Sequence, residues 1–328
     1  MSVYIDPEML PILEAMRSAP PADYAAMPIE EARALWNSGV APWCALAPAV
    51  RHVVDLTLAG PGGPIRARLL RPADGPLPLI IFIHGGGWTF GSVDSHENET
   101  RYLALASGAA VLSFEYRLAP EHPYPAALDD VHAVLAAVRN GALEGAVDVS
   151  RIALAGDSAG ANLALGALLA LRDSGVPGIA GAALFYGCFT PSPDSDSHRQ
   201  FGNGEFGLTT ERMNWYWRNF LGAAYAAPPL LAAPLGAALA GLPPLYLMAA
   251  GLDPLRDDTL ALAKALSAAG TGYELLSVPG VIHGFLGRAP KLPAAQRALA
   301  SAGAFLGRVL AINDDGRKTR WNAEHFSS

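Results

Sequence analysis

The sequence predicts an α/β chain built on a mostly parallel eight-stranded sheet flanked by helices, and three observations carry that expectation. Short apolar runs alternate with longer helix-forming stretches from residue 79 onward, the rhythm of strands joined by helical crossovers. The run from Arg151 to Asn162 passes from apolar residues through Gly156, Asp157, Ser158, Ala159 and Gly160 straight into helix-forming sequence. Finally, 51% of the 328 residues are hydrophobic, enough to cover both faces of such a sheet.

Taken in order, residues 1–50 read as helical: Asp6-Pro7 opens one segment that Pro20-Pro21 ends, and 29–37 supplies a second. The runs 53–58 and 65–70 alternate apolar and polar residues about the glycine- and proline-rich 60–64, which predicts an antiparallel hairpin. Six further strands are expected at 79–83, 110–114, 152–155, 182–186, 245–248 and 273–278, with helices near 97–107, 126–140, 159–174, 259–269 and 294–310. These six strands should run parallel. Residues 190–227 interrupt the rhythm with a Ser/Pro/Asp-rich loop and an aromatic helix over 210–220, too long for an ordinary connection and best placed over the carboxyl edge of the sheet. Residues 313–328 read as a polar tail.

Charge and cysteine content exclude several classes. The net charge of −7, with no basic cluster ahead of the tail, leaves no footprint for nucleic acid. Two cysteines, Cys44 and Cys188, are too few to staple a domain of this size, so reduced thiols in a cytoplasm are expected. The N-terminus lacks the basic start and apolar core of a secretory signal. Residues 219–252 carry no charge, but Pro228, Pro229, Pro234, Pro243 and Pro244 break any helix there, so a buried loop and strand is expected rather than a membrane span.

The spacing Gly156-x-Ser158-x-Gly160 suits a nucleophile elbow, because side chains two positions either side of the serine would strike the neighbouring strand and helix. A serine hydroxyl needs a base, and the base needs a carboxylate to orient it. In chain order these should follow as serine, acid, histidine, with the acid after a late strand and the histidine after the last. Asp253 follows 245–251, and His283 lies in the loop after the final strand, with Gly284 behind it to let the backbone turn. The other seven histidines, His52, His84, His96, His122, His132, His198 and His325, read as structural or surface residues. Asp257 is the reserve acid, and Asp258 shares its loop. His84-Gly85-Gly86-Gly87-Trp88 directly follows an apolar strand, where backbone amides could stabilise an oxyanion. No Gly-Lys-Ser/Thr follows to cradle phosphate, and no His-Glu-x-x-His or paired Cys-x-x-Cys argues for zinc.

With these residues in place the chain resembles the hormone-sensitive-lipase-like esterases, the bacterial family IV carboxylesterases, over about residues 65–310. The resemblance rests on His84 to Trp88, Gly156 to Gly160, Tyr116 to Asp130, Asp253 to Asp257 and His283 to Phe285. It implies an α/β-hydrolase core of 51–189 and 228–312, with a helical cap from 1–50 and 190–227. It also implies Ser158 as nucleophile, Asp253 and His283 as its partners, and the amides of Gly86, Gly87 and Ala159 as an oxyanion hole. His84 would shape the loop, while Arg117, Glu121, Asp129 and Asp130 suit internal ion pairs and turns. Ala161 departs from the glycine found in many members.

The activity so implied is cofactor-free hydrolysis of short-chain carboxylic esters through an acyl-enzyme, with a small-molecule ester as partner, no nucleic acid, no membrane, and a homodimer left open. Trp88, Phe206, Leu208, Met213, Trp215, Tyr216, Trp217, Phe285 and Leu286 are the pocket candidates. An amidase or arylformamidase on the same triad is the nearest alternative. A non-catalytic receptor on this fold is another, and the presence of His283 argues against it.

Overall fold

The computed structural model describes residues 3–19, 22–176 and 178–312, so the polar tail expected at 313–328 lies outside the described residues. Alternating apolar residues form the hairpin of β1 (His52–Gly60) and β2 (Gly63–Arg71), paired antiparallel with Gly60 opposite Gly63. Then follow β3 (Leu77–Ile83), β4 (Ala110–Phe114), β5 (Val147–Asp157), β6 (Ile179–Phe185), β7 (Leu245–Leu252) and β8 (Tyr273–Ile282). The strand order is β1-β2-β4-β3-β5-β6-β7-β8. β2 is antiparallel to both neighbours, and β3 to β8 run parallel, as expected.

Successive side chains of a strand point to opposite faces, and the core divides accordingly. Ile81, Leu112, Leu154, Leu184 and Leu247 face one layer, which contains Val131 of α4 (Ala126–Arg139), Leu165 of α5 (Ala159–Asp173) and Leu262 of α8 (Arg256–Ala268). Their neighbours Ile80, Val111, Ala153, Ala183 and Tyr246 face the other, with Leu103 of α3 (Glu97–Ser107) and Leu299 of α9 (Pro293–Val309). Because the parallel strands point the same way, their carboxyl ends gather at one edge, where crossovers leave a crevice.

The N-terminal segment carries the helices α1 (Leu10–Ser18) and α2 (Ile29–Cys44), and its residues 17–24 contact the insertion that holds α6 (Asp196–Phe201) and α7 (Thr210–Leu221). Arg17 pairs with Glu205 at 3.1 Å, and Arg212 donates to the Ala22 carbonyl at 3.1 Å while lying 4.8 Å over the Tyr24 ring. Arg33 of α2 forms a two-bond clamp on Glu121, 2.7 Å for each bond, and donates to the carbonyls of Thr89 and Ala119. Arg117 pairs with the buried Asp130 at 2.9 Å, the internal ion pair its motif suggested.

Several boundaries differ from the sequence expectation. α6 falls within the stretch read as loop; it is six residues long, and Ser195 caps it by accepting from the His198 amide. α2 continues through Pro42 to Cys44, where Arg288 lies 4.5 Å over the Trp43 ring and the Cys44 thiol donates to the Ser95 carbonyl at 3.3 Å. β5 begins at Val147, before its apolar run, because Leu77 and Pro78 of β3 pair with its polar start. Residues 219–221 end α7, and residues 222–252 form short turns of 3₁₀ helix and then β7. No helix among the described residues is long and apolar enough to cross a membrane, and Cys44 and Cys188 are both free thiols.

Candidate active site

β5 ends at Asp157 and α5 begins at Ala159, so the chain reverses within one residue. Ser158 sits at φ 52°, ψ −118°, with its amide held by the Phe185 carbonyl at 2.9 Å. A non-glycine residue at positive φ stores about 1–3 kcal/mol of strain that the surroundings must hold. The flanking glycines are required by close approach: a methyl group at Gly160 would lie 1.9 Å from the Ile83 carbonyl oxygen, and one at Gly156 would lie 2.6 Å from that of Gly160. Ala161 is fully buried and faces Gly187, which leaves room for its methyl group.

The structure brings Ser158, His283 and Asp253 into one hydrogen-bonded line. His283 Nε2 lies 3.0 Å from Ser158 Oγ, and Nδ1 lies 2.7 Å from Asp253 Oδ2. The second oxygen of Asp253 accepts from the Leu255 amide at 2.9 Å, and the side chain is fully buried. A carboxylate only accepts, so Nδ1 carries the proton facing it, and Nε2 is left to accept from the serine hydroxyl. Gly284 adopts φ 70° behind the ring. Asp257 is turned away, accepting from the Ser197 amide and pairing with Arg256. Asp258 accepts from the Phe189 amide, and burial pushes its carboxyl up to about 7.

The glycine loop after β3 meets this line from the side of β5. Gly86 (φ 108°) and Gly87 (φ 61°) take conformations that suit glycine. The Gly86 carbonyl accepts from Thr89 and Phe90, and a methyl at Gly86 would collide with Phe90 oxygen at 2.4 Å. Among the described residues no hydrogen bond occupies the Gly86 or Gly87 amide. The Ala159 amide is the first of α5, where a helix supplies no acceptor. The Ala159 amide follows Ser158 directly in the chain, and the Gly85 amide, one residue before Gly86, donates to Asp157 Oδ1 at 2.8 Å, which ties the loop to the elbow. His84 stacks on Tyr116 at 4.2 Å, and burial together with the neighbouring His96 pushes its imidazole down to about 3, so it is neutral.

The pocket candidates divide between two hydrophobic clusters. Trp88, Leu208, Met213, Tyr216 and Trp217 belong to one cluster, with Trp215 half-buried against it. Phe206, Phe285 and Leu286 belong to the other. Trp88 is sealed between Phe220, stacked at 4.1 Å, and Trp217 at 4.5 Å, while Phe206 packs edge-on to Phe201. Tyr216 presses its ring against Gly87, where an added methyl would touch it at 2.4 Å. Phe285 and Leu286 follow Gly284, behind His283, and have no exposed surface.

Sequence reasoning missed three residues here. Tyr186 (φ 37°) sets its buried ring edge-on to the His283 imidazole at 4.9 Å; its place at the carboxyl end of β6, beside the elbow strand, was the available signal. Asp157 and His96 form a buried pair at 3.4 Å behind Ser158. Burial opposes the charge on His96, but Asp157 outweighs it and raises the imidazole to about 9. Asp157 lay inside the elbow motif as an unspecified position, whereas nothing in spacing distinguished His96. No group of three or more metal-capable side chains gathers among the described residues.

A sheet of this order, a strained serine between β5 and α5, and an acid and histidine after β7 and β8 define an α/β hydrolase. A family model described as alpha/beta hydrolase fold matches residues 80–287, and the chain belongs to that family, in its hormone-sensitive-lipase-like branch. The carboxylic ester hydrolase LipN of Mycobacterium tuberculosis is 40% identical over 247 residues, which is 71% of this chain and 64% of the length of LipN. The carboxylesterase NlhH of the same organism is 39% identical over 241 residues, 71% of this chain and 74% of its own. An esterase of Pyrobaculum calidifontis superposes with a TM-score of 0.86 at 34% identity, covering 94% of this chain and 100% of that one.

Proposed function

We propose that this protein is a serine carboxylesterase that hydrolyses short-chain carboxylic esters through an acyl-enzyme. The observation that carries the reading is the line from Asp253 through His283 to Ser158, set beside the open amides of Gly86, Gly87 and Ala159. In this reading His283 Nε2 takes the Ser158 proton as Oγ bonds to the ester carbonyl carbon. The three amides hold the oxyanion, each contributing about 3 kcal/mol to the transition state. The carbon–alkoxy bond then breaks, and the leaving alcohol receives its proton from His283. Water repeats the cycle: His283 takes its proton, the acid forms, and Ser158 regains its hydrogen. Asp253 holds the ring in its Nδ1–H tautomer and offsets the imidazolium charge.

Residues 1–50 and 190–227 serve as the cap in this reading. The ring of Tyr216 against Gly87 supports a confined acyl site, which suits acetyl to butyryl groups. Relatives named acetyl esterases agree with that preference. Two free thiols fit a cytoplasmic location.

A series of p-nitrophenyl esters from acetyl to dodecanoyl, with the matching anilide and formamide, tests activity, pocket length and the amidase alternative together. The expected result is turnover that falls beyond butyryl and is far slower on the anilide. Ser158→Ala should lower kcat by about 10⁶ without unfolding the protein. Turnover in that variant within tenfold of wild type overturns the assignment.

A further inference from the structure

We propose that Asp157 and His96 are positioning residues that lock the oxyanion loop to the nucleophile elbow, so that a buried ion pair outside the Ser158–His283–Asp253 line sets the geometry of the oxyanion amides. The inference rests on the ester-hydrolase reading and adds two residues to it.

Three contacts carry it. Asp157 immediately precedes Ser158, and its Oδ1 accepts from the Gly85 amide at 2.8 Å, one residue before Gly86. This bond ties two segments 72 residues apart in the chain. The approach is close enough that a methyl group at Gly85 would lie 2.4 Å from Asp157 Oδ2. His96 then sits behind the carboxylate, with Nε2 3.4 Å from Oδ1.

The hydrogen bonds around His96 assign its protons. The Ser95 hydroxyl donates to the Ser92 carbonyl at 3.0 Å and accepts from the Ser92 amide at 2.8 Å. Its remaining lone pair faces His96 Nδ1 at 2.8 Å, so Nδ1 carries a hydrogen. Nε2 is 3.3 Å from the Gly85 amide, but that N–H already has the nearer Asp157 oxygen. Nε2 also lies 3.4 Å from the Asp157 carboxylate, whose charge raises the imidazole to about 9 against burial, so at neutral pH Nε2 carries a second hydrogen and the ring is a cation paired with Asp157.

A charge-assisted hydrogen bond is stronger and shorter than a neutral one. The ionised Asp157 consequently holds Gly85 more firmly than a neutral amide side chain could, and Gly86 and Gly87 inherit that placement. The titratable and charged groups facing His96 are Asp157 from the elbow, Glu99 from α3 and His84 just after β3, with Arg288 acting on Glu99 from beyond it. Burial raises Glu99 to about 7, so its charge changes well below the point at which His96 loses its own, about 9. Above that point Asp157 loses its counter-ion and the lock weakens.

The test compares wild type, Asp157→Asn and His96→Gln on p-nitrophenyl acetate, with inhibition by a short aryl trifluoromethyl ketone whose adduct on Ser158 carries the oxyanion. Loss of one oxyanion donor costs about 10²–10³-fold, so displacing the donors in Asp157→Asn should lower kcat/KM about 10–100-fold. The loss should fall on kcat rather than KM, and ketone affinity should drop by the same factor. Wild-type kcat/KM should decline above about pH 9, and His96→Gln should show a lower rate without that decline. A folded Asp157→Asn within twofold of wild type, or one whose kcat/KM falls while ketone affinity holds, overturns the lock. If Asp157→Asn fails to fold, His96→Gln decides: an unchanged alkaline decline overturns the inference. Wild type inert towards every ester overturns the hydrolase reading instead, which separates the two failures.

Discussion

Asp253→Asn removes a charge while leaving shape almost unchanged, and the structure dictates how the new amide must sit. The position of Oδ1 accepts from the Leu255 amide at 2.9 Å, so the asparagine carbonyl oxygen takes that place. Its NH₂ group must then occupy the position of Oδ2, 2.7 Å from His283 Nδ1. Two donors cannot face one another, so Nδ1 gives up its hydrogen and the proton moves to Nε2. That nitrogen, 3.0 Å from Ser158 Oγ, can no longer accept the serine proton. The side chain is fully buried, and no solvent reaches it to relieve the mismatch. Wrong-tautomer substitutions of this kind lower kcat about 10⁴-fold, and four decades at 1.36 kcal/mol each are about 5.4 kcal/mol of barrier. Initial rates on p-nitrophenyl acetate at pH 7.5 should show the whole effect in kcat, with KM and melting temperature near wild type. Asp253→Asn retaining more than a tenth of wild-type kcat would refute the reasoning.

Two further outcomes follow from burial and close approach. Gly160→Ala sets a methyl group 1.9 Å from the Ile83 carbonyl oxygen, and overpacking against rigid backbone should cost about 3 kcal/mol or more; a thermal melt within 2 °C of wild type would contradict the close approach. Burial raises the folded-state Asp258 carboxyl to about 7, above its unfolded value, so the folded protein binds the extra proton and this group's contribution to stability falls as pH rises towards 7. Asp258→Asn keeps the acceptor for Phe189 and removes the ionisation, so its melting temperature relative to wild type should be higher at pH 8 than at pH 5. Equal differences at both pH values would show that the group does not titrate there.

Much of the site was legible because it is written in short-range sterics. Gly156 and Gly160 announce the elbow, since any larger residue would collide with β3 or α5, and Gly86 and Gly87 mark a loop that needs left-handed backbone. Asp253 and His283 were found from chain order after β7 and β8. The same reasoning did not reach α6, whose six residues, with Phe201 the one apolar member, show too few turns for periodicity to register. It also grouped Phe206 with Trp88, although the two side chains pack into separate hydrophobic clusters. His96 carried no signal at all, because what distinguishes it is a carboxylate held against it by the alignment of β3 with β5.

The amino-acid sequence by itself determined the alternation of strands and helices, the bend at Ser158 and the residue types available for acyl transfer. Those follow from apolar period, glycine and chain order, which act over a few residues. Only the tertiary structure decided that Asp253, His283 and Ser158 stand in one line, that Asp157 reaches Gly85, and that Tyr216 closes on Gly87. Such contacts depend on strand order and register, which the packing of the two helical layers on the sheet selects across the whole chain.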